Sequence, residues 1–393
     1  MREINLDYGA ATPVNPLVLQ EMQPFFTEHY GNPTSFHNLG ERPRLALAEA
    51  REKVASLIGA GPEEIIFTSS ASEANNMALK GIAAARRKKG NHIIASAIDH
   101  FSVLNPLRTL EKGGFSVTLL PVDQYGLTDP QQLREAITKD TVLISIQAAN
   151  PEIGTLQPLS QLTAIAREKG IPFHTDATAA AGFVPLDVDE MGVDLLTLAG
   201  DQFYGPKGSA ALYARRGIRM LPLLEGGIQE KGRRAGTENV PAIVGLGEAA
   251  RLARESLAER SSKLAALRDN LQEKIFDAVP HLHLNGHPQL RLPHNLHVSV
   301  EFVEGEALLI HLNMAGIYVS SGSTCTSQAL KSSHVLQAVG LSSELAQGSL
   351  LLTLGPDSNP DDAPYVAEQL SRIAELLRRM SPLYQKHMKE ANR

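Results

Sequence analysis

Short apolar or β-branched runs alternate with stretches of helical period along the first half of the chain. Runs at 65–68, 93–96, 117–120, 142–146, 171–174 and 195–197 read as strands. Between them apolar residues recur at helical spacing, as at Leu162, Ile165 and Ala166. Such alternation predicts an α/β fold with a mainly parallel sheet and helices on both faces. Ligands of such sheets bind beyond the carboxyl ends of the strands, where the segments 150–152 and 174–176 fall.

The second half is patterned differently. Leu257, Leu264, Leu267, Leu271 and Ile275 share one helical face, so the spacing predicts a single long helix near 251–278, stopped by Pro280. It would bridge to a second unit with strands near 296–300 and 350–354 and helices near 305–315 and 364–379. Neither an internal repeat nor a low-complexity linker interrupts the pattern.

At 393 residues the chain can support two substantial cores. A net charge of −6 argues against a general nucleic-acid surface. No run is apolar enough to span a membrane, and MREINLDYGA has no signal-peptide core. A cytoplasmic location is the default expectation. The lone Cys325 cannot form an internal disulfide, so it is either an inert apolar residue or a reactive thiol.

The candidate chemistry comes from motifs. LDYGAATPVNP, GNPTSFHNLG, FTSSASEANNMALKG, HTDATAAAG, DQFYGPKG, GRRAGTENVP and SSGSTCTS follow one another along the chain. In this order they resemble the NifS- and IscS-like cysteine desulfurases of the class V aminotransferase family. The resemblance implies a fold type I, pyridoxal-phosphate (PLP) dependent transferase architecture. It has a seven-stranded, mainly parallel sheet and a smaller α+β domain. It places a large domain at 12–255, with 1–11 and 256–393 forming the small domain that carries the Cys325 loop. It also implies a homodimer with active sites between subunits.

The resemblance assigns the site residues as follows. Ala71 and Ser72 would lie in the phosphate-binding turn, and Thr237 would reach the phosphate from the neighbouring subunit. On residue type alone Ser72 is also a fitting helix N-cap, with Ser69 and Ser70 preceding a helix that starts near Glu73. Asp176 would pair with the pyridine nitrogen. His100 would lie over the ring and shuttle protons. Cys325 would form a persulfide.

Against this stands a set of replaced positions. The family's Schiff-base lysine and the histidine before it are Gln202 and Asp201. Pro151 and Ala179 stand where two partners of the ring hydroxyl are expected, and Ala199 where a phosphate-binding serine is expected. Leu351 replaces the arginine that grips the substrate carboxylate. A carboxamide is neither nucleophile nor base. Lys207 has its own lysine counterpart in the family, which leaves it an ordinary surface or turn role.

Three functions stay open on the sequence. One is a non-catalytic sulfur-relay or iron–sulfur assembly partner, with Cys325 accepting a persulfide or acting as a shared cluster ligand beside partner residues. The second is a weak cysteine desulfurase using PLP that is not held as a lysine aldimine. The third is a PLP-independent enzyme built from Asp201, His100 and Asp176. No metal site of the chain's own is expected, nor any nucleic-acid or membrane partner. A sulfur acceptor or iron–sulfur scaffold protein is the expected partner class.

Overall fold

The computed structural model describes residues 2–321 and 333–391; Cys325 lies outside them. Its strands are β1 (Ile4–Asn5), β2 (Ile65–Thr68), β3 (His92–Ser96), β4 (Ser116–Leu120), β5 (Thr141–Ser145), β6 (Phe173–Asp176), β7 (Leu195–Ala199), β8 (Ala210–Ala214), β9 (Leu282–Leu284), β10 (Asn295–Val300), β11 (Ile317–Tyr318) and β12 (Ser349–Thr353). Seven of them form one sheet in the order β2-β8-β7-β6-β5-β3-β4. All pairings are parallel except those of β8, which runs antiparallel to β2 and β7.

Side-chain alternation splits this sheet into two faces. Ile65, Phe67, Ile94, Leu196, Leu198, Ala211 and Tyr213 pack with the helices Asn38–Leu57, Leu159–Glu168 and Val240–Glu255. Ile66, Ile93, Ala95, Leu195, Leu212 and Ala214 pack on the other side with the helices Ala71–Arg86 and Phe101–Lys112. The inner strands are buried on both faces, hence their continuous apolar runs. Strands β7 and β8, LLTLA and AALYA, are buried along their whole length. The AALYA strand was not legible in the sequence, because alanine carries no strand preference of its own.

A second core gathers Leu296, Val298 and Val300 of β10 and Leu350 and Leu352 of β12 beneath the helices Leu257–Ala278, Gly305–Met314 and Asp362–Met380. Ile4, Leu6 and Tyr8 from the start of the chain join it. The strands β9, β10 and β12 form an antiparallel sheet.

The long helix expected at 251–278 is two helices. Val240–Glu255 ends at Ser256, whose Oγ bonds back to the Leu252 carbonyl at 2.7 Å, and Leu257–Ala278 begins beyond it. A serine bonding four residues back competes with the helical ladder and lets the axis break. The apolar face read from the sequence is the one that is buried, and only the boundary was misread.

Candidate active site

Because β2, β3, β5, β6 and β7 point the same way, their carboxyl ends share one edge. The segments 69–72, 99–100, 150–152, 176–179 and 199–202 all leave from that edge. The scattered sequence positions are thereby brought to one end of the sheet.

The first of these segments starts the helix Ala71–Arg86. Its N-cap is Ser70, not Ser72: the Ser70 Oγ accepts the Glu73 N–H at 3.2 Å. Ser72 lies two residues past the cap, inside the first turn, and its side chain is exposed. Glu73 turns back to accept the Ser69 N–H at 2.8 Å, while the Arg234 Nε donates to it at 2.8 Å. Burial pushes the Glu73 carboxyl up, but the bonds from Arg234 and Ser69 outweigh it and hold the group below its ordinary range. Thr237, three residues beyond Arg234, is exposed. Replacing Ser70 by Ala removes the cap, and the expected loss is about 1 kcal/mol in the free energy of unfolding, read from urea midpoints.

Asp176 ends β6 and is 8% exposed. Its Oδ1 accepts the Thr178 N–H at 3.0 Å, and its Oδ2 accepts from Asn75 Nδ2 at 2.6 Å. Asn75 also donates to Ser102 Oγ at 2.8 Å, and that oxygen lies 2.8 Å from His100 Nδ1. The two pocket residues named from the sequence are therefore joined through two that were not. Asn75 leaves a signal in the pattern, since it shares the helical stripe of Ala71, Ala78, Leu79 and Ile82 and is the polar residue among them. Ser102 leaves none.

Beneath this network lies Asp99. Burial pushes its carboxyl up to about 7, aided by the charge of Asp176 and opposed by the N–H groups of Ser96 and Gln147. The Asp99 carbonyl accepts from His334 Nε2 at 3.1 Å, and the His334 ring packs on Phe101 at 4.6 Å. Glu152 is buried and pushed up to about 7 by that burial, while Ser333 Oγ donates to it at 2.8 Å. Ser333 and His334 follow the cysteine-bearing segment and are held by the Glu152 carboxyl and the Asp99 backbone carbonyl. Nothing in the sequence pointed to Asp99, Ser333 or His334, and Glu152 was marked only as part of the segment 150–152, because their chemistry comes from burial rather than spacing.

The turn bearing Asp201 and Gln202 is fixed by its backbone. The Asp201 carbonyl accepts from Thr12 Oγ1 at 2.8 Å, and Thr12 Oγ1 in turn accepts the Tyr204 N–H at 3.0 Å. Gly205 approaches so closely that a Cβ there would sit 2.9 Å from the Gly200 carbonyl oxygen. Asp201 and Gln202 are half-buried. Lys207 is exposed, with Nζ 3.5 Å from the Thr12 carbonyl.

Of the remaining replaced positions, three lie on segments leaving this edge and Leu351 lies in the three-stranded sheet. Ala199 is buried at the end of β7, Ala179 is half-buried beyond β6, and Pro151 is exposed with its carbonyl held by Asn295 Nδ2 at 3.1 Å. Leu351 lies on β12 opposite His297 and is bonded to Ser320 in both directions. Its neighbours Leu350 and Leu352 face the second core, so Leu351 faces the other way.

A mainly parallel seven-stranded sheet with its polar residues at the carboxyl edge defines the class, and the comparisons agree with it. Residues 4–346 match the aminotransferase class-V family model. A relative called cysteine desulfurase IscS from Dictyoglomus turgidum is 48% identical over 384 residues, covering 98% of each chain. Another of that name from Methanosarcina thermophila is 50% identical over 382 residues, covering 97% of this chain and 94% of the relative. Among solved structures, a NifS-like protein superposes with a TM-score of 0.89 at 35% identity, over 96% of this chain and 100% of its own. The chain thus has the type I fold of PLP-dependent enzymes and belongs to the class-V aminotransferases, within their cysteine desulfurase family. No helix among the described residues is long and apolar enough to cross a membrane.

Proposed function

We propose that this member of the cysteine desulfurase family works as a sulfur-relay or iron–sulfur assembly partner through Cys325, without a lysine-tethered cofactor. The observation that carries the reading is Gln202 at the rigid turn after β7. A carboxamide supplies no nucleophilic amine there. Lys207 belongs to the same turn region, but its ammonium lies 3.5 Å from the Thr12 carbonyl. Asp176, His100 and the Ser70-capped helix start supply a partner for a ring nitrogen, an imidazole and an anion-binding helix end. The residues therefore suit part of the PLP molecule and do not suit its lysine-bound form.

In the relay reading the thiolate of Cys325 attacks the outer sulfur of a donor persulfide. The donor's S–S bond breaks, the donor leaves as a thiolate, and Cys325 holds the transferred sulfur as its own persulfide. In the assembly reading the same thiolate occupies one ligand position of a cluster whose other ligands belong to the partner. The chain works as a homodimer, and Phe26, Tyr30, Phe36 and Leu39 support that, since all four are exposed, Phe36 at 105%. The division into 12–255 against 1–11 with 256–393 is supported by the helix break at Ser256 and by Ile4, Leu6 and Tyr8 joining the second core.

The test is a Cys325→Ser variant in a persulfide- or cluster-transfer assay with purified partner. Transfer is expected to drop to background with the fold and oligomeric state unchanged. Transfer equal to the parent's would sink the reading.

A second reading, weak desulfurase activity with untethered PLP, is favoured by the retained Asp176 environment. It also draws on a solved relative described as SspA in complex with cysteine, 38% identical with a TM-score of 0.80. A PLP-dependent absorption band with sulfide release from cysteine would support it, and absence of both would end it.

A further inference from the structure

We propose that Asn75 is a positioning residue that ties Asp176 to His100 and, through the Ser102 hydroxyl, strengthens the Nε2–H tautomer that the Ser102 N–H selects. Asn75 is fully buried, and its Nδ2 serves both Asp176 Oδ2 at 2.6 Å and Ser102 Oγ at 2.8 Å. A carboxylate only accepts, so the orientation of the amide is settled: its nitrogen faces Asp176 and Ser102. Its Oδ1 is then left buried with no partner among the described residues. An asparagine that leaves its own acceptor unpaired is retained for its two hydrogens rather than for its contribution to packing.

The tautomer of His100 follows from the neighbouring bonds. The Ser102 N–H points at His100 Nδ1 at 3.1 Å, and a backbone N–H can only donate. Nδ1 therefore offers its lone pair, and the neutral ring carries its hydrogen on Nε2. The Ser102 hydroxyl receives a hydrogen from Asn75 and passes its own to the same Nδ1, 2.8 Å away. The hydrogens thus run outward from Asn75, to Asp176 on one side and through Ser102 to His100 on the other. Asp176 is held as an acceptor at one end, and His100 presents an Nε2–H donor at the other. A neutral His100 in this pocket is a hydrogen donor toward a ligand and not its base. This assignment concerns the protein's own residues and holds independently of Cys325 and of any cofactor.

The experiment is long-range proton–nitrogen correlation NMR on full-length protein labelled with 15N-histidine, with His100 identified by its loss in His100→Gln. The parent is expected to show the Nε2–H tautomer. Asn75→Asp is nearly isosteric but supplies at most one hydrogen where the amide supplies two. It and Ser102→Ala should each shift the tautomer ratio toward Nδ1–H by roughly tenfold, the weight of about one neutral hydrogen bond. Backbone amide spectra report whether each variant keeps the fold, and Asn75→Ser replaces Asn75→Asp if that variant does not. An Nδ1–H ring in the parent, or an unchanged ratio in a folded variant at either position, overturns the proposal.

Discussion

A Gln202→Lys, Asp201→His double variant is expected to gain a borohydride-trappable PLP adduct on residue 202. Its cysteine turnover should stay about 100-fold or more below that of an ordinary family member, for want of the carboxylate grip. The first half follows from the turn. Thr12, Gly200 and Gly205 fix its backbone without help from the side chain of residue 202, so a lysine there would start from a formed position. The second half follows from Leu351. It is 6% exposed and faces away from the second core, and it offers an isobutyl group where the family resemblance expects a guanidinium. Two charge-assisted hydrogen bonds to a carboxylate are worth roughly 1.5–3 kcal/mol each, and an isobutyl group supplies neither. Mass mapping after reduction and alanine release from cysteine are the two measurements. Adding Leu351→Arg should recover part of the deficit. Brisk turnover by the double variant without it would show that the missing cation does not limit this pocket.

Stability is expected to respond to pH in opposite directions through two buried groups near the site. Burial first, and then the charge of Arg291, push His297 down to about 3. The ring stays neutral in the fold and takes a proton on unfolding below its ordinary 6.5. Its contribution is therefore whole above 6.5 and is lost as pH falls toward 3. Glu152 behaves in the reverse sense. Burial pushes it up to about 7, so it is protonated in the fold and releases its proton on unfolding above 4.5. Its contribution is whole below 4.5 and is lost as pH rises to 7. Each proton changes stability by about 1.4 kcal/mol per pH unit, so a two-unit span moves each by roughly 3 kcal/mol. Urea unfolding of the parent, His297→Gln and Glu152→Gln across both windows isolates the two groups as parent-minus-variant differences. The His297 difference should shrink on acidification from 6.5, and the Glu152 difference should shrink on raising pH from 4.5. Differences that stay flat with pH would contradict the burial argument.

The fold was largely legible because inner strands must be apolar on both faces. Strands β2 to β7 each announced themselves as a run bounded by polar segments. Strand β8 did not, since alanine is equally at home in a helix. The break at Ser256 was hidden by an apolar stripe that continues in register on its far side. For the site, motif order gave Asp176, His100 and Gln202, and parallel topology explains why they share an edge. Ser102 and Asp99 were invisible, Asn75 showed only as a polar position on an apolar stripe, and Glu152 only as part of the segment 150–152, for a physical reason. Their roles come from two-residue contacts across 27 to 181 positions of chain, and from burial, neither of which has a local period.

The most direct test of the central claim is made on the native protein incubated with PLP, reduced with borohydride, and digested for mass mapping beside an assay of cysteine turnover. A Gln202-containing peptide of unmodified mass, no cofactor on Lys207, and turnover near background are expected. Cofactor mass on a lysine, together with rapid conversion of cysteine to alanine, would contradict the claim.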